Sequence, residues 1–141
     1  MSPFPESPFG TAITHRNIID TMSQFTSWED RYRQVVMWGK QLPVMSDVLK
    51  TDQVTVSGCE SQVWLLAQQV HDNWYFHADS DARIVRGLIA IVLAAFDGLT
   101  AKEIALFDVD DYFAQLGLIE HLSPSRGNGL KAIVEQIKAV A

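Results

Sequence analysis

The sequence predicts an α+β fold, a small antiparallel three-stranded sheet with helices packed on it, in a single domain spanning residues 1–141. Three observations carry that expectation. Apolar residues recur at helical spacing up to about residue 39 and again from Ile84 onward. Between them the pattern becomes short strand-like runs separated by polar turns. The stretch Ile84–Phe96 is apolar on nearly every side, which places it at the centre of a core rather than on a surface. Helices, then strands, then helices put one side of the sheet under helices.

In chain order, residues 1–13 carry Pro3, Pro5, Pro8 and Gly10 and read as a loose arm. A first helix is predicted from Thr14 to about Gln24, with Ile18, Ile19 and Met22 on one face. Thr26 and Glu29 have capping-box spacing for a second helix. Trp28, Tyr32, Val35 and Val36 give it a stripe, and Gly39 is expected to end it in the left-handed conformation before Pro43. Val54–Val56, Ser61–Val70 and Trp74–Ala78 are three strand candidates, with a polar turn at His71-Asp72-Asn73 and the middle strand central. Asp79-Ser80-Asp81 offers N-cap chemistry for the helix Ile84–Phe96, which Gly98 closes. Thr100 and Glu103 repeat the capping-box spacing and open a short helix. Asp108–Leu116 follows, closed by Gly117. Ser123-Pro124 reads as a cap and first-turn proline for the last helix, whose stripe is Leu130, Ile133, Val134 and Ile137.

Composition excludes several classes of function. Apolar residues make up 48% and charged residues 20%, ordinary values for a folded domain that completes its core without metal or disulfide. Eleven basic residues against seventeen acidic ones give a net charge of −6. With the basic residues scattered, direct binding to nucleic acid is not expected and proteins are the expected partners. The apolar run Ile84–Phe96 has 13 residues and is interrupted by Arg86, whereas a bilayer span needs about 20, so no membrane segment is expected. The N-terminus lacks the basic start and apolar run of a secretory signal, and a cytoplasmic location is expected.

Cys59 is the one cysteine, set between Gly58 and Glu60 at the connection of two predicted strands. A cysteine is commonly a small buried hydrophobe, but a turn presents side chains to partners. Hydrolysis through this thiol would want a histidine base, and His15, His71, His77 and His121 stand in unrelated segments, each expected at a surface or in a turn. Metal binding would want three or four ligands, and no paired Cys or His spacing supplies them. Sulfur transfer asks only for access and alignment, since it is the same displacement as thiol–disulfide exchange. Glu60, as a like charge beside the thiolate, disfavours its ionisation, so activation is expected to come from a partner's site. Arg126 stands at a helix start, where a cation opposes the dipole, and so suggests a specific polar contact. Asp81 is explained by capping alone.

These segments resemble the SufE family of sulfur acceptors for cysteine desulfurases. The motif carrying the resemblance is Ser57-Gly-Cys-Glu-Ser-Gln-Val-Trp64. Three further stretches agree in order: Trp28–Arg33 with Gly39–Pro43, Asp79–Leu88, and Ser123–Leu130. Ser7–Thr11 and Trp28–Pro43 are more similar to the CsdE branch, which works with the desulfurase CsdA. Phe107–Asp110 and His121–Pro124 are closer to SufE proper. The resemblance implies a SufE/IscU-like fold and a persulfide mechanism. A CsdA- or SufS-like desulfurase would hold sulfur from L-cysteine as a persulfide and pass it to Cys59. The acceptor would itself carry no cofactor, because pyridoxal phosphate sits on the desulfurase, and it would not be a stand-alone enzyme. Asp81 and Arg126 match positions near the active loop and, with Glu60 of the motif itself, enter as supporting or partner-binding residues. Sulfur would then pass to a downstream acceptor protein, in Fe–S cluster assembly or a tRNA-modification pathway. The rival reading is a regulator that binds a desulfurase without carrying sulfur. An Fe–S scaffold would need more than one cysteine.

Overall fold

The computed structural model describes residues 2–58 and 60–141. Helix α1 (His15–Ser23) opens with the Thr14 N–H donating to Asn17 Oδ1 at 2.9 Å. Helix α2 (Trp28–Gln41) is capped by Ser27, whose Oγ accepts the Asp30 N–H at 3.2 Å. The cap thus sits one residue beyond the predicted Thr26–Glu29 box. Two adjacent hydroxyl residues compete for that role, and the Ser27 start turns Val35 and Trp38 into the core.

Gly39 does not end α2 but lies inside it and is buried. A Cβ there would stand 2.8 Å from the Gly87 backbone nitrogen, and one on Gly87 would overlap the Val35 carbonyl. The two glycines exist for close approach of α2 to the central helix α3 (Arg83–Phe96), not for a turn. As predicted, α3 is surrounded: every residue except Arg83 and Arg86 is buried. That burial removes a large apolar area from water and so contributes heavily to the fold's stability.

Among the described residues the sheet has two strands, not three. Strands β1 (Val63–Val70) and β2 (Asn73–Ser80) pair antiparallel, with Val63 opposite Ser80 and Val70 opposite Asn73. The predicted strand at 54–56 reduces to a single bridge between Thr55 and Trp64, with the Val56 N–H donating to Val63 O at 2.8 Å. Its backbone is spent locally. Asp52–Val54 is a 3-10 turn, the Val54 N–H bonds Thr51 O at 3.2 Å, and Thr55 Oγ1 donates back to the same carbonyl at 3.0 Å. Gly58, at φ +88°, then turns the chain before a ladder can extend.

Thr100 and Glu103 form the predicted reciprocal cap of α4 (Ala101–Leu106). Helix α5 (Val109–Leu116) is stopped by Gly117 at φ +63°. Ser123 caps α6 (Pro124–Val140), which buries Leu130, Ile133, Val134 and Ile137 as its stripe predicts. The segment read as a loose arm is fastened from its eighth residue: Pro8 O accepts the Ile13 N–H at 2.8 Å and Phe9 is buried in the core. Burying one large aromatic outweighs the prolines' bias toward an open arm. A single hydrophobic cluster runs from Phe9 to Ile137. Among the described residues no helix is long and apolar enough to cross a membrane.

Candidate functional site

Cys59, the residue expected to carry sulfur, lies outside the described residues; both of its flanks lie within them. On the upstream side Val56 is pinned to Val63, and Gly58 adopts a left-handed backbone above α6, where an added Cβ would lie 3.6 Å from Ala132 Cβ. On the downstream side Gln62 is held at both of its backbone groups. Its N–H donates to Asp81 Oδ1 at 3.1 Å, and its carbonyl accepts Ser80 Oγ at 2.7 Å and the Asp81 N–H at 3.4 Å. Between these anchors Ser57, Gly58 and Glu60 are exposed. The described flanks of Cys59 are therefore exposed and run into fixed anchors on both sides.

Asp81 is not a helix cap. The N-cap of α3 is Ala82, whose N–H bonds Ser80 Oγ at 3.2 Å, which leaves the Asp81 carboxylate for Gln62. Of the residues singled out in the sequence, Glu60 and Arg126 are brought together. Both line a cavity of ≈ 20 Å³ with Ser61, Val85, Leu88 and Leu130. That is room for about one water-sized group. Arg126 is the third residue of α6, its N–H bonded to Ser123 Oγ at 3.3 Å. Among the described residues its guanidinium makes no ion pair. The lining is apolar on the side of Val63, Val85, Leu88, Leu130 and Ile133 and polar at Glu60, Ser61, Ser125 and Arg126, so a small polar group can enter with its polar end toward Arg126. Asp81 does not line the cavity; it fixes the loop beside it.

Two residues that support this end of the sheet were not found by sequence reasoning. Asp79 and Arg86 form an ion pair, with side chains 3% and 16% exposed. Asp79 also accepts the Met45 N–H at 2.9 Å and the Ser80 N–H at 2.8 Å. Arg86 donates through Nε to Gly39 O at 3.2 Å and through Nη2 to Leu42 O at 2.6 Å. The pair therefore ties the end of α2 and the chain after it to β2, next to Ser80 and Asp81. The available signal was Arg86 itself, a charge inside an otherwise apolar helix.

His71 and His121 are exposed, as expected, whereas His15 is half-buried and His77 does not lie at the surface. His77 is buried, with its ring 5.6 Å from that of Phe4, and burial lowers its pKa against the opposing pull of Asp79. Position 77 alternates with inward residues on a strand covered on both sides, so a polar side chain there is enclosed. His15 packs edge-on to Phe107 at 5.2 Å, and burial, then the Arg16 charge, lowers its pKa. His121 stacks on Trp28 at 4.6 Å, and His71 occupies the hairpin turn with φ +57°. None of the four lines the cavity beside the loop.

A family profile for SufE, described as an Fe-S metabolism associated domain, matches residues 16–141. The chain belongs to the SufE family. It is 44% identical over 138 residues to the sulfur acceptor protein CsdE of Escherichia coli strain K12, covering 96% of this chain and 93% of that protein. It is 48% identical over 128 residues to an uncharacterized SufE-like protein of Rhizobium meliloti strain 1021, covering 88% and 91%. The solution structure of a hypothetical protein from Thermus thermophilus superposes with a TM-score of 0.71, covering 89% of this chain and 90% of that one. At 14% identity that likeness shows a shared fold alone. The resemblance drawn from the four motifs is thus shown, at the level of the family and its CsdE-like members.

Proposed function

We propose that this SufE-family chain is a persulfide sulfur carrier that accepts sulfur from a cysteine desulfurase on Cys59. The observation that carries the reading is the match, over nearly the whole chain, to a protein named as a sulfur acceptor. The loop geometry supports it, since both flanks of Cys59 are anchored and its neighbours Gly58 and Glu60 are exposed.

The Cys59 thiolate attacks the outer sulfur of the donor's Cys–S–SH. A new S–S bond forms to Cys59, the donor's S–S bond breaks, and the donor's thiolate leaves with the electron pair. No net oxidation occurs, and the outer sulfur keeps its proton or loses it to solvent. Arg126 stabilises the persulfide anion at the rim of the cavity, Glu60 contacts the donor, and Asp81 holds the loop through Gln62. Pyridoxal phosphate belongs to the desulfurase, and this chain needs no cofactor of its own. The persulfide is then attacked by a thiol of a downstream acceptor in Fe–S cluster assembly, the route the family's description favours, or in tRNA modification.

Desulfurase stimulation by a Cys59→Ser variant tests the proposal. A carrier loses stimulation of L-cysteine turnover with this change. Undiminished stimulation would identify a regulator that binds without carrying sulfur.

A further inference from the structure

We infer that the segment Val44–Leu49 is the surface on which the sulfur-donating desulfurase docks, an inference that rests on the carrier reading above. Three aliphatic side chains within these six residues face solvent: Val44 is 73% exposed, Val48 85% and Leu49 40%. One exposed aliphatic side chain is ordinary on any protein; three within six residues concentrate apolar surface on one short segment.

The segment has a fixed backbone. Met45 is buried between the exposed positions and its N–H is held by Asp79 Oδ2 at 2.9 Å. Upstream, Leu42 O is held by Arg86. Downstream, Lys50 Nζ lies 4.7 Å above the Trp64 ring and 3.2 Å from Asp47. Apolar side chains presented on a backbone that is already ordered avoid much of the entropy cost of association.

Its position selects the occupant. From Leu49 the chain passes through the Asp52–Val54 turn to Thr55, which bridges to Trp64, and Val56, which bonds Val63, and then to Gly58. This segment and the cysteine loop therefore share one edge of β1. A protein that brings its own persulfide to residue 59 must cover the neighbouring edge, whereas a small sulfur donor need not. Charge gives the partner's character. Asp47, Asp52, Glu60 and Asp81 are exposed carboxylates on the segments forming this edge. Set against these four carboxylates are Lys50, whose ammonium is already engaged by Asp47 and the Trp64 ring, and Arg126 beside Glu60, so the edge stays acidic on balance. The occupant is a desulfurase face with an apolar cleft rimmed by Lys and Arg.

The test uses a Val44→Ser/Val48→Ser variant and a desulfurase that the native chain stimulates. Two quantities are measured: the acceptor concentration giving half-maximal L-cysteine turnover, and Cys59 persulfidation by inorganic polysulfide, a donor too small to need docking. The inference expects half-saturation to rise about tenfold, as when an interface loses a substantial contact, with the same maximum and unchanged polysulfide labelling. Asp47→Lys should raise it further at low salt than at high salt. Half-saturation within about twofold of native overturns the docking inference and leaves the carrier reading intact. A parallel loss of polysulfide labelling also overturns it, because the loop itself would then be disturbed. If the native chain stimulates the desulfurase but never takes sulfur onto Cys59, the carrier reading fails, and this inference with it.

Discussion

Replacing Arg86 with Met removes the cation that holds this end of the molecule together while keeping most of the side chain's apolar length. The Asp79 carboxylate, 3% exposed, would be left with the Met45 and Ser80 N–H groups but without its counter-charge. Breaking a buried ion pair by removing one partner costs about 3–5 kcal/mol. The Gly39 and Leu42 carbonyls would also lose their guanidinium donor, at about 1 kcal/mol each where no water reaches them. The two remaining N–H donors offset part of the charge term, so a net loss of about 3 kcal/mol is expected. Urea unfolding followed by tryptophan fluorescence should show a lower midpoint with an unchanged slope, the signature of lost stability without a change in compactness. Neutralising the other partner as well, in Arg86→Met/Asp79→Asn, should recover about 1–2 kcal/mol, because the buried charge is then gone. A single-variant loss below about 0.5 kcal/mol, within the range of surface substitutions, would refute the clamp.

Burial raises the Asp97 pKa from 3.8 to about 6, while its Oδ1 accepts the Phe76 N–H at 2.8 Å. A raised folded pKa means a contribution fully present below pH 3.8 that fades as the pH climbs to about 6. Asp97→Asn should therefore stabilise the chain at pH 7.5 by up to about 3 kcal/mol and flatten this slope in urea midpoints taken from pH 4 to 7. His77 runs the opposite way. Its lowered folded pKa gives stability that is present above its ordinary 6.5 and lost on acidification, so His77→Gln should remove a fall in midpoint below that pH. Asp81→Ala frees the Gln62 N–H and should cost only about 1 kcal/mol globally, yet speed amide exchange at Gln62 well beyond that at Phe76. Equal exchange before and after the change would deny Asp81 a role in holding the loop.

What the sequence revealed and what it hid divide along the range of the interactions. Caps at Thr100–Glu103 and Ser123-Pro124 are local chemistry and appear where the residues place them. The β1–β2 hairpin and the enclosed α3 appear where the apolar runs and the polar turn place them, although burial along both strands is continuous at one end rather than alternating. The third strand was lost to a competition invisible in a β-branched run, because Thr51 draws the Val54 and Thr55 donors into a turn. Gly39 looked like a helix stop because its partner across the helix contact, Gly87, stands far along the chain. Asp79 and Arg86 escaped for the same reason, their contacts reaching back 34 residues to Met45 and 44 to Leu42. At the candidate site, Glu60 and Arg126 were legible as residues, but their meeting over one cavity is tertiary. Asp81 looked like a cap by composition and became a loop anchor because Ser80 reached the Ala82 N–H first.

The most direct test of the account is the intact mass of the chain, under non-reducing conditions, after incubation with L-cysteine and an active cysteine desulfurase. The account predicts a gain of one sulfur atom, mapped to the peptide containing Cys59, reversed by a reducing thiol and absent from Cys59→Ser. An unchanged mass while the desulfurase turns over would contradict it.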